Sequence, residues 1–296
     1  MLQSANGAPG RTTPRRLAVE ALRVAWERLP RYWGIHLRRY RSQMKLASWN
    51  VNSIRQRLAH VVDWLNANEP DVLALQEIKT EAGKFPLAEI EATGYHCVLD
   101  GQKAYNGVAL LSRDEPADVA TGIPDFTDDQ RRVIAATYGG TRVINVYVPN
   151  GQSVGSDKYR YKLDWLDALA GYLAGELKRH ERLAIVGDFN IAPEDRDVHD
   201  PDQWRDQVLC SVPERERLKA LLNLGLVDTF RLFDQPEKSF SWWDYRMMGF
   251  RRNHGLRIDL ILASKALAAT CSGATIDVAP RKLEKPSDHA PVVAVL

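Results

Sequence analysis

The feature that most constrains this chain is the way its short apolar runs keep ending on an amide, a carboxylate or a hydroxyl. Lys45 to Val51 carries Ser48-Trp49-Asn50, Val72 to Gln76 leads into Glu77, and Val143 to Val148 holds Tyr147 and leads into Asn150-Gly151. Leu183 to Gly187 is followed by Asp188-Phe189-Asn190, Ile258 to Ala263 contains Asp259, and Val292 to Leu296 is preceded by Ser287-Asp288-His289. Runs of this length between turn residues read as strands, and Val108 to Ser112 and Val133 to Tyr138 read the same way. Apolar residues three and four apart predict helices over Leu58 to Asn68, Tyr159 to Arg179 and Glu214 to Leu224. Strands interleaved with helices place the chain in the α/β class. Gly139-Gly140-Thr141, between two strands, signals a hairpin, so the sheet is not purely parallel. The charged, weakly periodic stretch from Ile191 to Val212 reads as a long loop, and such loops usually have a job.

The 296 residues fit one large domain. Cys97, Cys210 and Cys271 are odd in number and widely spaced, which excludes a paired-cysteine zinc site or a dithiol and fits reduced thiols. No apolar stretch approaches the roughly 18 residues of a membrane span, and the N-terminus lacks a cleavable apolar leader. The expectation is a cytoplasmic, monomeric enzyme with no membrane partner.

The net charge of +2 conceals an asymmetry: residues 1–43 hold nine arginines against Glu20 and Glu27. That basic segment reads as an extension, with Leu17, Ala18, Ala21, Leu22, Ala25 and Trp26 at helical spacing. A DNA-binding arm, a membrane-surface helix and an organellar transit peptide all fit it. The reading favoured here is that Met44 is the true start, with residues 44–296 as the catalytic domain. Without the extension the body is net negative, so any nucleic-acid binding there must be local.

A lone Asp or Asn after a strand is more often a turn residue or a helix cap than a catalytic group. Asp259 is different, because a carboxylate among Ile258, Leu260, Ile261 and Leu262 needs a charged or hydrogen-bonding partner, and a histidine is the obvious one. The set as a whole is rich in carboxylates and amides and has no Cys/His cluster, which points to a hard cation: Mg²⁺, with Mn²⁺ able to substitute. Glu77 is the expected principal ligand, with Asn50 or Asp288 nearby. No G-x-x-x-x-G-K-[ST] segment is present, which removes the common P-loop alternative. Metal-assisted attack of water on a phosphodiester is the simpler scheme.

Six blocks in order, Ser48 to Arg55, Leu75 to Lys79, Asn145 to Gly151, Gly187 to Pro193, Ser241 to Asp259 and Pro286 to Pro291, resemble the exonuclease III and abasic-site endonuclease family across Met44 to Leu296. That resemblance implies a four-layer α/β sandwich of two packed mixed sheets flanked by helices, as in DNase I-like proteins. It implies a Mg²⁺-dependent repair nuclease acting on double-stranded DNA with abasic sites or blocked 3′ ends, as 3′-to-5′ exonuclease, abasic-site endonuclease and 3′-phosphatase.

Carried over by motif, Asn50, Glu77, Asp188, Asn190, Asp288 and His289 form the metal environment. Tyr147, Asp188, Asn190 and the Asp259–His289 pair carry the chemistry. Asp188 would activate or orient the water, Asn190 hold it or a phosphate oxygen, His289 contact the phosphate, and Tyr147 assist at the leaving oxygen; whether Asp188 or Tyr147 is the base stays open at this level. Arg55, Asn150, Trp242 and Arg246 are the expected DNA contacts, with core packing the alternative for Trp242. Two rival readings are another phosphoesterase of the same superfamily, such as a DNase I-like, inositol-phosphate or sphingomyelin hydrolase, and a non-catalytic DNA-binding module.

Overall fold

Successive side chains of a strand take opposite faces, and that alternation organises the protein. A computed structural model describes residues 43–296, so all but the last residue of the expected basic extension lies outside the described residues. The strands are β1 (Lys45–Asn50), β2 (Val72–Gln76), β3 (His96–Asp100), β4 (Val108–Ser112), β5 (Ala117–Thr121), β6 (Val133–Tyr138) and β7 (Thr141–Tyr147). They continue with β8 (Leu183–Asp188), β9 (Leu226–Asp228), β10 (Trp242–Trp243), β11 (Gly255–Leu256), β12 (Asp259–Ser264), β13 (Gly273–Ile276) and β14 (Val292–Val295). The long helices are α1 (Ile54–Asn68), α2 (Asp157–Arg179) and α3 (Val212–Asn223).

Two six-stranded sheets result, in the orders β13-β14-β1-β2-β4-β3 and β5-β6-β7-β8-β12-β9, beside a small β10-β11 pair. Among the described residues only β1/β2 and β7/β8 pair in parallel, so both sheets are mixed, as expected. Leu46, Ala74, Leu110, Ala136, Val143, Val186, Ile261 and Ala294 form a common core between the sheets. On the outer face of the first sheet, Ala47, Trp49, Leu73 and Leu75 pack under Ile54, Val61, Trp64 and Leu65 of α1. On the outer face of the second, Ile144, Val146 and Ile185 pack under Trp165, Leu169 and Leu173 of α2 and Leu218 and Leu221 of α3. The four layers are therefore helix, sheet, sheet, helix, each interface held by burial of alternate apolar side chains.

Every strand placed from sequence is present, with ends shifted by at most two residues, and the glycine hairpin joins β6 to β7 through Gly139 and Gly140, both at positive φ. Helix α1 starts four residues earlier than the Leu58 predicted, because Ile54 is itself fully buried. Strands β3, β5, β9, β10, β11 and β13 were invisible to the pattern: β5, for example, is exposed along its whole length and carries no apolar alternation. The stretch 191–212, expected as a loop, contains two short helical turns, Asp195–Asp197 and Pro201–Trp204. Among the described residues no helix is long and apolar enough to cross a membrane.

Candidate active site

The inward-facing row of each central strand turns polar as it nears one end of the sandwich. In β1 it runs Leu46, Ser48, Asn50; in β2, Val72, Ala74, Gln76; in β7, Val143, Asn145, Tyr147; in β8, Ala184, Val186, Asp188. Gln76 Nε2 donates to Ser48 Oγ at 3.0 Å and to Asn145 Oδ1 at 2.7 Å, while Asn145 Nδ2 donates across the inter-sheet space to the carbonyls of Leu75 and Ala109. This buried polar bolt, which sequence reasoning did not pick out, fixes the two sheets against each other one step below the outermost residues. Its signal was there: a fully buried amide on the apolar face of a strand needs partners.

Beyond the bolt the sheets converge. Register places Asp188 opposite Tyr147 on one side and Asp259 on the other. Gly187, at φ +147, permits that approach, since a Cβ there would meet the Val146 carbonyl oxygen at 1.9 Å. Asn50 Nδ2 spans the sheets, donating to Glu77 Oε1 at 2.8 Å and Asp188 Oδ2 at 2.9 Å. Glu77, Asp188 and His289 each bring one ligand atom within 4.8 Å of the others, a geometry able to hold a metal ion. Asn190 Nδ2 and its backbone N–H both donate to Asp188. His289 Nδ1 lies 2.9 Å from Asp259 Oδ2, the pairing expected from the isolated carboxylate, and its Nε2 lies 3.7 Å from Asp188.

Burial raises the Asp188 carboxyl to about 7, even though His289 pulls it back. For His289 burial opposes the charged ring, but Asp259 and Asp188 outweigh it and raise the imidazolium to about 10. Tyr147 is pushed well above the usual phenol range, first by burial and then by the charges of Glu77 and Asp188. Arg132 lies over its ring at 4.6 Å. Asp288 is held below the usual carboxylate range: burial would raise it, but His289 and the donors Asn52 and Trp242 outweigh that. Its two oxygens accept Asn52 Nδ2 at 2.9 Å and Trp242 Nε1 at 3.0 Å, and it is not one of the three residues of the metal-competent cluster.

The profile of the endonuclease/exonuclease/phosphatase family matches residues 47–289, from inside β1 to His289. Exodeoxyribonuclease III of Haemophilus influenzae is 40% identical over 264 residues, covering 85% of this chain and 99% of its own. The chain belongs to the exonuclease III/abasic-site endonuclease family. Among solved structures, a Neisseria meningitidis 3′-5′ exonuclease is 49% identical with TM-score 0.83, covering 85% of this chain and 98% of that one. An abasic-site endonuclease from Archaeoglobus fulgidus is 44% identical with TM-score 0.82, over 86% and 99% of the two chains.

Around the floor of this exonuclease III-family site stands a looser rim. Asn150 is exposed and donates from Nδ2 to Asn190 Oδ1 at 3.1 Å. Trp242 is half-buried and meets Trp204 edge-to-face, whereas its neighbour Trp243 goes into the core. Arg246 is exposed and bound to Asp244, and Arg55 is exposed on the first turn of α1, so neither joins the buried cluster. Lys79, 2.8 Å from Glu77 Oε2, was overlooked although it sits two residues on in the same motif.

Proposed function

We propose that this chain is a Mg²⁺-dependent nuclease that hydrolyses phosphodiesters of duplex DNA at abasic sites and 3′ ends, with Mn²⁺ able to replace Mg²⁺. The observation that carries the reading is the convergence of Glu77, Asp188 and His289 within 4.8 Å at the open end of the inter-sheet core. The names of its relatives support the substrate: an exodeoxyribonuclease, an abasic-site endonuclease, and a Neisseria 3′-phosphatase, 48% identical, bound to a product DNA hairpin.

The donor set fits a hard cation. Two carboxylates, Glu77 and Asp188, would hold it, and Asn50 spaces them. Bound there, the ion supplies charge stabilisation at the phosphate and acidifies a water. His289, kept charged by Asp259, offers its Nε2–H to a non-bridging phosphate oxygen. Asp188, whose carboxylate takes its hydrogen bonds from Asn50 and Asn190, accepts the proton of the attacking water. Asn190, whose amide is tied to Asp188 and Val148, orients that water. Burial and the charges of Glu77 and Asp188 push the Tyr147 phenol well above its usual range, which favours it as a donor to the leaving oxygen. Trp242, Asn150, Arg55 and Arg246 line the approach of the DNA.

The test is incubation of an end-labelled duplex holding one abasic site with Mg²⁺ or EDTA, beside Glu77→Ala and Asp188→Asn. Incision 5′ to the lesion that needs Mg²⁺ and is lost in both folded variants is the expected result. Wild-type protein that leaves the duplex intact while cleaving a lipid or inositol phosphodiester would assign it to the rival chemistry.

A further inference from the structure

Lys162 lies on α2 in line with Tyr159, Trp165, Leu166, Leu169 and Leu173, the stripe that packs onto the second sheet, and its side chain has no solvent exposure. An ammonium in such a place is costly unless all three of its protons find acceptors. They do: Nζ donates to the carbonyl of Asn190 at 2.6 Å, to the carbonyl of Asn150 at 3.1 Å and to the equally buried Glu214 carboxylate of α3. Glu214 in turn accepts the backbone N–H groups of Leu209 and Ser211, each at 3.1 Å, which close the 191–212 stretch. The lysine stem runs close beneath Gly151, where φ is +93 and a Cβ would come within 3.1 Å of Lys162 Cδ.

The two carbonyls belong to the two asparagines whose side chains meet above the floor, Asn150 Nδ2 on Asn190 Oδ1 at 3.1 Å, with Asn190 itself at φ +50. A buried ion pair of this kind adds little stability over an apolar pair of the same size. What it does add is position: one point donor fixes the separation of two loop backbones that come from different strands.

We infer that Lys162, neutralised by Glu214, is a positioning residue that sets the spacing of Asn150 and Asn190 and thereby the placement of the attacking water and the phosphate. The inference rests on the nuclease reading of Asn190 and goes beyond it, because Lys162 touches neither substrate nor Asp188.

The test compares wild-type protein with Lys162→Met/Glu214→Gln, which removes both charges together, on the abasic duplex with Mg²⁺. With water placement disturbed by a fraction of an ångström, kcat is expected to fall about 10- to 100-fold while KM moves less than about threefold. Amide hydrogen exchange is expected to rise on the order of tenfold over residues 150–152 and 190–192, with β1 and β2 unchanged. A folded double variant with wild-type kcat, or with unchanged exchange in those two segments, overturns the inference. Should the double variant not fold, Lys162→Arg takes its place: the wider head group cannot sit as one point among three acceptors, and a folded arginine variant with wild-type kcat overturns the inference equally. Wild-type protein inert on DNA would sink the nuclease reading, and the exchange measurement alone would then decide on the clamp.

Discussion

The floor of the site and its rim are built on different principles. On the floor, Asn50, Tyr147, Asp188 and Asp259 are strand residues whose direction follows from pleat and register, and each is buried or nearly so. On the rim, Trp242 and Arg246 sit in a segment where Met247, Met248 and Asn253 all adopt left-handed backbone and where Met247 is 77% exposed. Fixed geometry suits bond-breaking, which tolerates little error; a rim made of turns suits contact with a long polymer, which needs reach more than precision.

That contrast predicts a descending series of effects. Asp188→Asn should lower kcat about 10²- to 10⁴-fold with KM nearly unchanged, the range for losing a positioned base; a loss below tenfold would move the base elsewhere. Asp259→Asn should cost on the order of 100-fold, because the imidazolium loses its anchor. It also has a signature in pH. Because the folded pKa of His289 is raised, its pairing stabilises the fold fully below pH 6.5, and that contribution drains away as pH rises through about 10. The stability gap between wild type and Asp259→Asn, read by urea denaturation, should therefore be widest at pH 6 and narrow towards pH 10. A gap independent of pH would show that the ring is neutral when folded.

At the rim the effects should be smaller and fall on binding. Trp242→Ala is expected to weaken DNA affinity about tenfold, the loss of one stacking surface, with kcat changed less. Smallest is Arg246→Ala, at about threefold or less in KM at moderate salt, since its guanidinium is exposed and engaged by Asp244. Its slope of log affinity against log salt should drop by about one if it meets a phosphate. A rim variant that abolished turnover at saturating DNA would erase the division between the two regions.

The floor was legible in the sequence for the same reason that it is rigid. A polar residue at the end of an apolar alternation has only two directions available, and the order of the blocks narrowed the choice further. Asp259 was the clearest instance, demanding a partner that turned out to be His289. The bolt of Gln76 and Asn145 and the clamp of Lys162 and Glu214 were missed although each left a trace, a polar side chain on an otherwise apolar stripe; pairing them requires knowing which strands and helices meet. Asn52 and Lys79, which reach Asp288 and Glu77, lie at positive φ just past β1 and β2. Loop backbone of that kind follows no period, so no spacing rule aims its side chains. Strand β5 was hidden because neither of its faces is buried.

Trp49 donates its indole N–H to the carbonyl of His289, a residue 240 positions further along, and β14, which follows His289, inserts between β13 and β1. At ribosomal rates of about 5–20 residues per second, a nascent chain carries Glu77 for tens of seconds before His289, the last member of its cluster, is added. The segment that completes the first sheet is therefore also the one that completes the polar floor, so sheet closure and site closure fall together at the end of the chain's synthesis.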